Sequence, residues 1–359
     1  MDKGQLRWVW ISVAFSAVVL VIILATTFDK NTLLTILKLN VGFLLLAIGL
    51  RVASLLFWAL RVQSMSRSLG YRVKFGHCFN LVVANLLAGA ITPGQAGGEP
   101  VRIHELYRAN VKIGDATAVV LMERVLDGVV LVIMGVIAMV LLQGIWRGLN
   151  IGLIIGMFLG LAVMVTLILL LFYSIKRPDR VKVLLNRLIS WAGTRWKGKT
   201  MQKITHNADR EMDNFFESLN RFTTSGKSGM LYGAFFTTLF WASEFFVASL
   251  LLLSLGEPPF IAESYLFQLI IAIVMMIPLT PGSSGIAELS ATSLYALIVP
   301  ASVLGLFVLL WRLLLFYFNI IVGLFASLNI FRRELRINDE KNTGSPVQGT
   351  PDTLENRQG

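Results

Sequence analysis

Long apolar runs separated by short charged segments make up the chain as far as about residue 331. A helix needs about 20 apolar residues to cross the hydrocarbon core of a bilayer. Six runs meet this length and predict transmembrane helices at 7–28, 39–61, 115–142, 152–175, 229–255 and 300–331. Two further runs, 75–91 and 265–280, are shorter, and each leads into Thr-Pro-Gly instead of a charged boundary.

Composition supports a membrane protein and excludes several other classes. Hydrophobic residues make up 55% of the chain and the mean hydropathy is +0.71, too apolar for a soluble domain of this length. The pattern predicts an all-α, polytopic membrane helix bundle. With Cys78 as the single cysteine and three scattered histidines, we expect no disulfide framework, no metal site and no cofactor.

The positions of the basic residues predict the orientation, because cytoplasmic loops are enriched in Lys and Arg. Segments 61–74 and 176–228 and the Arg332–Arg333 pair are basic, whereas 143–151 has one arginine and 256–264 has none. Both termini are therefore predicted to be cytoplasmic, in the inner or plasma membrane. The net charge of +11 is explained by these loops, and we expect no nucleic-acid partner.

An internal duplication relates two parts of the chain. Residues 92–135 align without gaps with residues 280–323 when the chain is shifted by 188 positions. The matches include Thr92 with Thr280, Pro93 with Pro281, Gly94 with Gly282, Gly97 with Gly285, Tyr107 with Tyr295, Arg124 with Arg312, and Gly135 with Gly323. Three predicted spans separate the two motifs, so the units face opposite ways. This predicts an inverted-topology repeat with two re-entrant or broken helices.

Helix breakers within the two motifs predict sharp turns at membrane depth. The predicted turn residues are Pro93, Gly94, Gly97, Gly98, Pro281, Gly282 and Gly285. A new helix is expected to begin near Glu99 in the first motif and after Ser284 or Gly285 in the second. Backbone N–H groups at such helix ends can bind anions.

Charged residues inside apolar spans are candidates for chemistry, since each costs about 2.5–3.5 kcal/mol near the bilayer centre. They are Arg51, Glu123, Arg124, Asp127, Glu244 and Arg312. Structural pairing, for example of Arg124 with Asp127, is one interpretation. The other is that the repeat-related Arg124 and Arg312 converge on an anionic substrate, because guanidinium groups bind phosphate with two hydrogen bonds.

Two glutamates at the motif helices have both structural and functional interpretations. Glu99 and Arg102 lie three residues apart on one helix face, and either fix the turn together or contact substrate. Glu288 is expected in the first turn of its helix, where capping is the stronger interpretation.

The segment 176–228 is predicted to form amphipathic cytoplasmic helices. One stretch, 181–192, is expected to lie on an anionic membrane surface. The other carries Met212, Phe215, Phe216, Leu219 and Phe222 at helical spacing, and packing beneath the bundle is at least as good an interpretation. We therefore predict one transmembrane domain, 1–335, and a disordered tail, 336–359.

Four motifs together resemble the transmembrane region of the lysylphosphatidylglycerol synthase family, also called flippase-like proteins. They are TPGQAGGEPVR at 92–102, ERVLD at 123–127, IPLTPGSSGIAE at 277–288 and WRLLLFYFNIIVG at 311–323. The resemblance implies that a lipid headgroup cavity is lined by Glu99, Arg102, Arg124, Asp127, Glu288 and Arg312. The sequence shows no soluble aminoacyl-transferase domain after the membrane part, so we do not expect synthesis of lysylphosphatidylglycerol.

The leading hypothesis is a non-enzymatic flippase that moves an anionic phospholipid or a polyprenyl-linked lipid between leaflets. A second hypothesis is an intramembrane transferase, for which His104 beside Glu105 is the acid–base candidate. A third is a partner protein that recruits a glycosyltransferase or lipid-synthesis enzyme through segment 176–228.

Overall fold

In a computed structural model of the protein, the described residues are 30–90, 92, 97–141, 151–177, 179–183, 199–224, 226–275, 280 and 282–325, with isolated positions at 187 and before residue 30. All regular secondary structure within these residues is helical. The helices are α1 (Lys30–Leu37), α2 (Val41–Ser68), α3 (Phe75–Ala90), α4 (Gly98–Arg108), α5 (Ile113–Leu141), α6 (Ile151–Lys176), α7 (Lys199–Thr223), α8 (Lys227–Ser254), α9 (Ile261–Met275), α10 (Ile286–Tyr295) and α11 (Ala301–Phe325). The prediction of an all-α membrane protein is confirmed.

Three helices of the described part are long and apolar enough to cross a membrane: α2, α8 and α11. They correspond to the predicted spans 39–61, 229–255 and 300–331. Helix α5 and helix α6 correspond to the predicted spans 115–142 and 152–175. The predicted first span, 7–28, lies almost entirely outside the described residues, and the predicted tail, 336–359, lies wholly outside them.

Helices α3 and α4 form a short antiparallel hairpin, which we call hairpin 1. Near its open end, Nε2 of His77 lies 2.8 Å from the carbonyl oxygen of Glu105. Near its tip, a Cβ added to Gly98 would fall 2.2 Å from Oδ1 of Asn85. The chain therefore turns back on itself after Ala90, and both ends of hairpin 1 lie on the same side.

Helices α9 and α10 form a second short hairpin, hairpin 2. Nε2 of Gln268 donates to the hydroxyl of Tyr295 at 3.0 Å, far from the turn. Close to the turn, the hydroxyl of Ser283 donates to the carbonyl oxygen of Met275 at 2.9 Å. Both short apolar runs thus end in a reversal of chain direction, at the positions where the sequence predicts broken helices.

The tips of the two hairpins meet. The backbone N–H of Gly282 donates to the carbonyl oxygen of Thr92 at 3.2 Å. Gly282 has φ +58°, and a Cβ added there would fall 2.6 Å from the carbonyl oxygen of Ala90 and 2.7 Å from the ring of Phe316. A glycine is required at this position by both the backbone conformation and the close approach.

The same order of four helices occurs twice. Helices α2–α5 form the first unit, and α8–α11, which come after α6 and α7, form the second. The shift of 188 residues relates Gly98, the first residue of α4, to Ile286, the first residue of α10. The same shift relates Ile113 to Ala301, where α5 and α11 begin. The helix boundaries therefore repeat with the spacing of the sequence motifs.

The first helices of the two units, α2 and α8, run antiparallel in contact. The N–H of Asn40, before α2, donates to the carbonyl oxygen of Ser254, at the end of α8, at 2.7 Å. At the other end, a Cβ on Gly229 would fall 2.2 Å from Cβ of Ser68. Small residues at a helix–helix contact let the backbones approach closely in a membrane. Gly229 and Gly233, four residues apart, serve this purpose here.

Helix α7 packs beneath the bundle against the start of α5. Its apolar face is buried through Met212, Phe216, Leu219 and Phe222. This agrees with the packing interpretation of the second amphipathic stretch. Most of the stretch 181–192, predicted to lie on the membrane surface, is outside the described residues.

A buried carboxylate holds this end of the bundle together. Asp115 of α5 accepts hydrogen bonds from Ser218 of α7, at 2.6 Å, and from the hydroxyl of Tyr71 in the loop before α3. Burial, reinforced by the hydrogen bond to Asp115, raises the pKa of Tyr71 to about 12. Tyr71 therefore remains a protonated donor throughout the physiological range.

Candidate functional site

Arg124 and Glu99 form an ion pair between α5 and the first turn of α4. Nε of Arg124 donates to Oε1 of Glu99 at 2.9 Å, and Nη2 donates to the same oxygen. The partial positive charge of the α4 N-terminus further stabilises the carboxylate. Of the side-chain surfaces, 35% of Arg124 and 27% of Glu99 are exposed. The pair is therefore partly open to its surroundings.

Arg61 of α2 is the centre of a buried network behind that pair. Its Nε donates to Oε1 of Glu123 at 2.7 Å and its Nη1 to Oδ1 of Asp127 at 2.6 Å. The indole Nε1 of Trp241, on α8, donates to the same Asp127 oxygen at 3.0 Å. The network ties α2, α5 and α8 together, and Asp127 is satisfied mainly by Arg61 and Trp241.

The sequence prediction ended the second span at Arg61 and counted this residue with the basic segment 61–74, and the predicted helix end is wrong. Helix α2 continues to Ser68, so Arg61 lies inside it and is almost fully buried. Val62, Met65 and Leu69 keep an apolar helical spacing beyond the predicted end of the span. That spacing is the signal that the helix continues through the arginine.

Arg102 of α4 is completely buried and contacts Glu123, not Glu99. The guanidinium lies 5.5 Å from the ring centre of Trp58. The sequence placed Glu99 and Arg102 on one helix face as a possible pair, but the structure gives each of them a partner on α5. Glu123 therefore bridges Arg102 and Arg61.

Arg312 and Glu288 form the corresponding pair in the second unit. Nε of Arg312 donates to Oε1 of Glu288 at 2.7 Å, and Nη2 donates to the hydroxyl of Ser284 at 3.3 Å. The other carboxylate oxygen accepts the N–H of Gly285 at 2.7 Å, so Glu288 also caps α10. The guanidinium stacks 4.2 Å from the ring centre of Phe316. Only 2% of Arg312 and none of Glu288 is exposed.

The two units thus each contain a glutamate in the motif helix that pairs with an arginine on the following long helix. The shift of 188 residues relates Arg124 to Arg312, but it relates Glu99 to Ala287, one position before Glu288. The sequence alignment therefore shows a duplicated arginine without a duplicated acid. In space both acids are present, although they occupy adjacent and not equivalent positions in the two motif helices.

A third intramembrane pair joins α2 to α8. Arg51 contacts Glu244, and its Nη2 donates to Oδ1 of Asn319 on α11 at 2.6 Å. The hydroxyl of Ser54 donates to the same carboxylate. Sequence reasoning identified both charges but not the Asn319 contact. The position of Asn319 inside an apolar span was the feature of the sequence that could have predicted this contact.

Every arginine described above has a carboxylate partner. The side chains in these contacts are five arginines, Arg51, Arg61, Arg102, Arg124 and Arg312, and five acids, Glu99, Glu123, Asp127, Glu244 and Glu288. Their formal charges cancel. Burying the pairs avoids the cost of isolated charges in the apolar spans.

The predicted motif turns are only partly within the described residues. Pro93, Gly94 and Pro281 lie outside them. Gly97 and Gly98 pack against Thr92 and Asn85 so closely that an added Cβ would lie under 3 Å from each.

Gly285 has φ +82° and precedes α10. Its backbone N–H is the one that Glu288 caps. The predicted cap of the second motif helix is therefore confirmed at this glycine.

His104 and Glu105 do not face one site. His104 is exposed, whereas Glu105 is buried and contacts His77 and Arg108. Within the described ranges, no cluster of His, Cys, Asp or Glu side chains could hold a metal ion.

A cleft of about 870 Å³ opens where α2 leads into α3, with Arg67, Arg72 and Lys74 in its lining. The residues that line it include none of the paired core charges. The cleft lies beside the open end of hairpin 1. Its basic lining suits the headgroup level of an anionic leaflet.

Comparison with known proteins reveals relatives along nearly the whole chain. A "UPF0104 membrane protein" of Archaeoglobus fulgidus is 34% identical over 324 residues, which cover 87% of this chain and 94% of the relative. A second protein of that description, from Pyrococcus horikoshii, is 24% identical over 304 residues, which cover 82% and 89% of the two chains. A third, from Methanothermobacter thermautotrophicus, is 25% identical over 259 residues, 70% and 74% of the two chains.

Residues 9–323 match the family described as "Lysylphosphatidylglycerol synthase TM region". The match includes both hairpins, the Arg124–Glu99 pair and the Arg312–Glu288 pair. The resemblance in the sequence motifs and the helical fold agree with it. The chain is therefore a multi-pass membrane protein that belongs to the lysylphosphatidylglycerol synthase TM region family.

Proposed function

We propose that the protein moves a polar-headed, anionic lipid or a lipid-linked sugar between the leaflets of the inner or plasma membrane. Membership of the family and the helical membrane fold support a role within the bilayer. Ionisable residues inside membrane spans commonly mark substrate pathways.

The partly exposed Arg124–Glu99 pair is the observation that carries the proposal. It lies at the tip of hairpin 1, where a guanidinium and a helix N-terminus converge. Both groups favour an anion, and a guanidinium binds phosphate oxygens with two parallel hydrogen bonds. The buried network of Arg61, Glu123 and Asp127 holds the adjacent turn of α5 in place.

The arrangement of the two units supports alternating access. Two hairpins touch at their tips, and the first helices of the units run antiparallel. In our proposal the units form an inverted repeat, both termini are cytoplasmic, and rocking of one unit against the other exposes the site to each leaflet in turn. Segment 176–228 is then available for a glycosyltransferase or lipid-synthesis partner.

Lipid movement in reconstituted vesicles tests the proposal. Fluorescent phosphatidylglycerol is placed in both leaflets, and a membrane-impermeant reductant reports how much of it reaches the outer leaflet. Arg124→Ala is expected to slow movement roughly 10- to 100-fold, the range for losing a charge-assisted hydrogen bond.

Arg221→Ala is the matched control, because it removes an arginine from an exposed pair with Glu217 on α7. This variant should move lipid at the wild-type rate. Wild-type movement by a folded Arg124→Ala protein would contradict a flippase that works through this site.

A further inference from the structure

We propose that Arg124 is the arginine that binds the lipid phosphate, and that Glu99 is a built-in competitor which occupies Arg124 when no lipid is bound. This inference rests on the proposed function, which it deepens by assigning the substrate contact to one of the two repeat-related arginines. The ligand class is a phosphate-bearing anionic lipid headgroup.

The geometry of the contact with Glu99 leaves Arg124 able to bind a phosphate group in its place. A single oxygen, Oε1 of Glu99, accepts from both Nε and Nη2. These two donors form the edge of the guanidinium that matches two phosphate oxygens. One carboxylate oxygen thus accepts from both donors, whereas a phosphate would offer a separate oxygen to each of them.

The neighbouring acid does not replace Glu99. Oδ2 of Asp127 lies 3.6 Å from Nη1 of Arg124, beyond the distance of a good hydrogen bond. Oδ1 of Asp127 is engaged by Arg61 and Trp241. Among the described residues, Glu99 is therefore the hydrogen-bonding partner of Arg124, and displacing Glu99 frees the whole edge.

The Arg312–Glu288 pair of the second unit has additional partners and is buried. Arg312 is held by Glu288, Ser284 and the ring of Phe316, and Glu288 is also fixed by its cap on Gly285. That pair is sealed from the surroundings, whereas about a third of Arg124 is exposed. The difference in burial, not the shared sequence motif, distinguishes the binding arginine from the structural one.

Exchange of Glu99 for a phosphate leaves Arg124 paired with a negative charge. When a phosphate takes the guanidinium, the released Glu99 carboxylate remains partly exposed and stays beside the α4 N-terminus. Neither group becomes an isolated buried charge, so the exchange avoids the main cost of breaking an internal pair.

Lipid binding by a Glu99→Gln variant is the test. The protein is reconstituted into nanodiscs of phosphatidylcholine with increasing phosphatidylglycerol, and native mass spectrometry measures the phosphatidylglycerol retained. Removing the competitor is expected to tighten retention about 2- to 5-fold, the worth of a partly exposed ion pair. Glu99→Ala should also tighten retention. This second variant shows that the gain does not come from a new contact of the glutamine side chain.

Three controls make the result specific. Glu217→Gln, which breaks the exposed pair with Arg221 on α7, should leave retention unchanged. Arg124→Ala should abolish the gain when combined with Glu99→Gln. Millimolar inorganic phosphate should fail to displace the lipid, and full displacement would show a site for free phosphate and overturn the lipid assignment.

Unchanged or weaker retention in both Glu99 variants, with normal folding, would overturn the competitor role. This result is separable from the flippase proposal. Tighter retention without any lipid movement in vesicles would uphold the competitor and reject transport. Lipid movement that depends on Arg124, together with unchanged retention in Glu99→Gln, would uphold transport and reject the competitor role.

Discussion

At the scale of single residues, the two glutamate–arginine pairs have the same chemistry in different surroundings. Glu288→Gln leaves the fully buried Arg312 without its counter-charge, and such a loss costs about 3–5 kcal/mol. Glu99→Gln disturbs a partly exposed pair, for which about 1 kcal/mol or less is typical. Thermal unfolding in detergent, followed by intrinsic tryptophan fluorescence, should therefore show a much larger fall in melting temperature for Glu288→Gln. Equal falls would mean that the two pairs are equally buried in solution.

Sequence reasoning identified most of the charged residues but few of their partners: the suggested contact of Arg124 with Asp127 is present at 3.6 Å, whereas the contact of Arg124 with Glu99 was not foreseen. An intramembrane charge is visible in a sequence because it interrupts an apolar run, and this identified Arg124 and Arg312. Their partners depend on how helices pack, which has no local signature. The one-residue offset between Glu99 and Glu288 made the second acid look unrelated to the first.

At the scale of elements, the contact between the hairpin tips depends on Gly282. Gly282→Ala adds a Cβ 2.6 Å from the carbonyl oxygen of Ala90 and also strains a backbone with φ +58°. Gly256→Ala is a matched control, since Gly256 has φ +83° with nothing within 4 Å of an added Cβ.

The control measures the backbone strain alone, about 1–2 kcal/mol. Gly282→Ala is expected to destabilise the protein by more than this, as seen in a lower melting temperature. If both variants lose the same stability, the tips are not in close contact.

The hairpins themselves were predictable, because two apolar runs too short to cross a membrane each lead into Thr-Pro-Gly. The extent of α2 was not, since the prediction continued the span through Arg51 but ended it at Arg61. A charge marks the end of a span only when water lies beside it. Arg61 has two carboxylates instead, so the helix continues past it.

At the scale of the whole molecule, the sequence predicted an internal repeat and the helix boundaries follow it. The repeat was visible because turns require glycine and proline, whose positions are easy to align. The contact of Gly282 with Thr92 was not visible, because a backbone hydrogen bond between distant segments leaves no trace in residue type. The repeated order of the helices thus followed from local breakers, whereas the meeting point of the units required the structure.

The balance of five arginines and five acids in the core has an electrical consequence. If these pairs move with the protein, the paired groups among the described residues carry no net charge across the membrane field, and in the proposed transport cycle only the charge of the lipid is transferred. A membrane potential of 100 mV acts on one charge with about 2.3 kcal/mol. It should therefore bias the leaflet distribution of phosphatidylglycerol by roughly 50-fold and leave phosphatidylcholine unbiased.

A potassium diffusion potential across reconstituted vesicles supplies this voltage, and the impermeant reductant measures the distribution. A voltage bias on the uncharged lipid would show that its movement is coupled to the movement of an ion. A bias on the anionic lipid only would make this protein a voltage-responsive pathway whose selectivity for direction comes from the membrane, not from the protein.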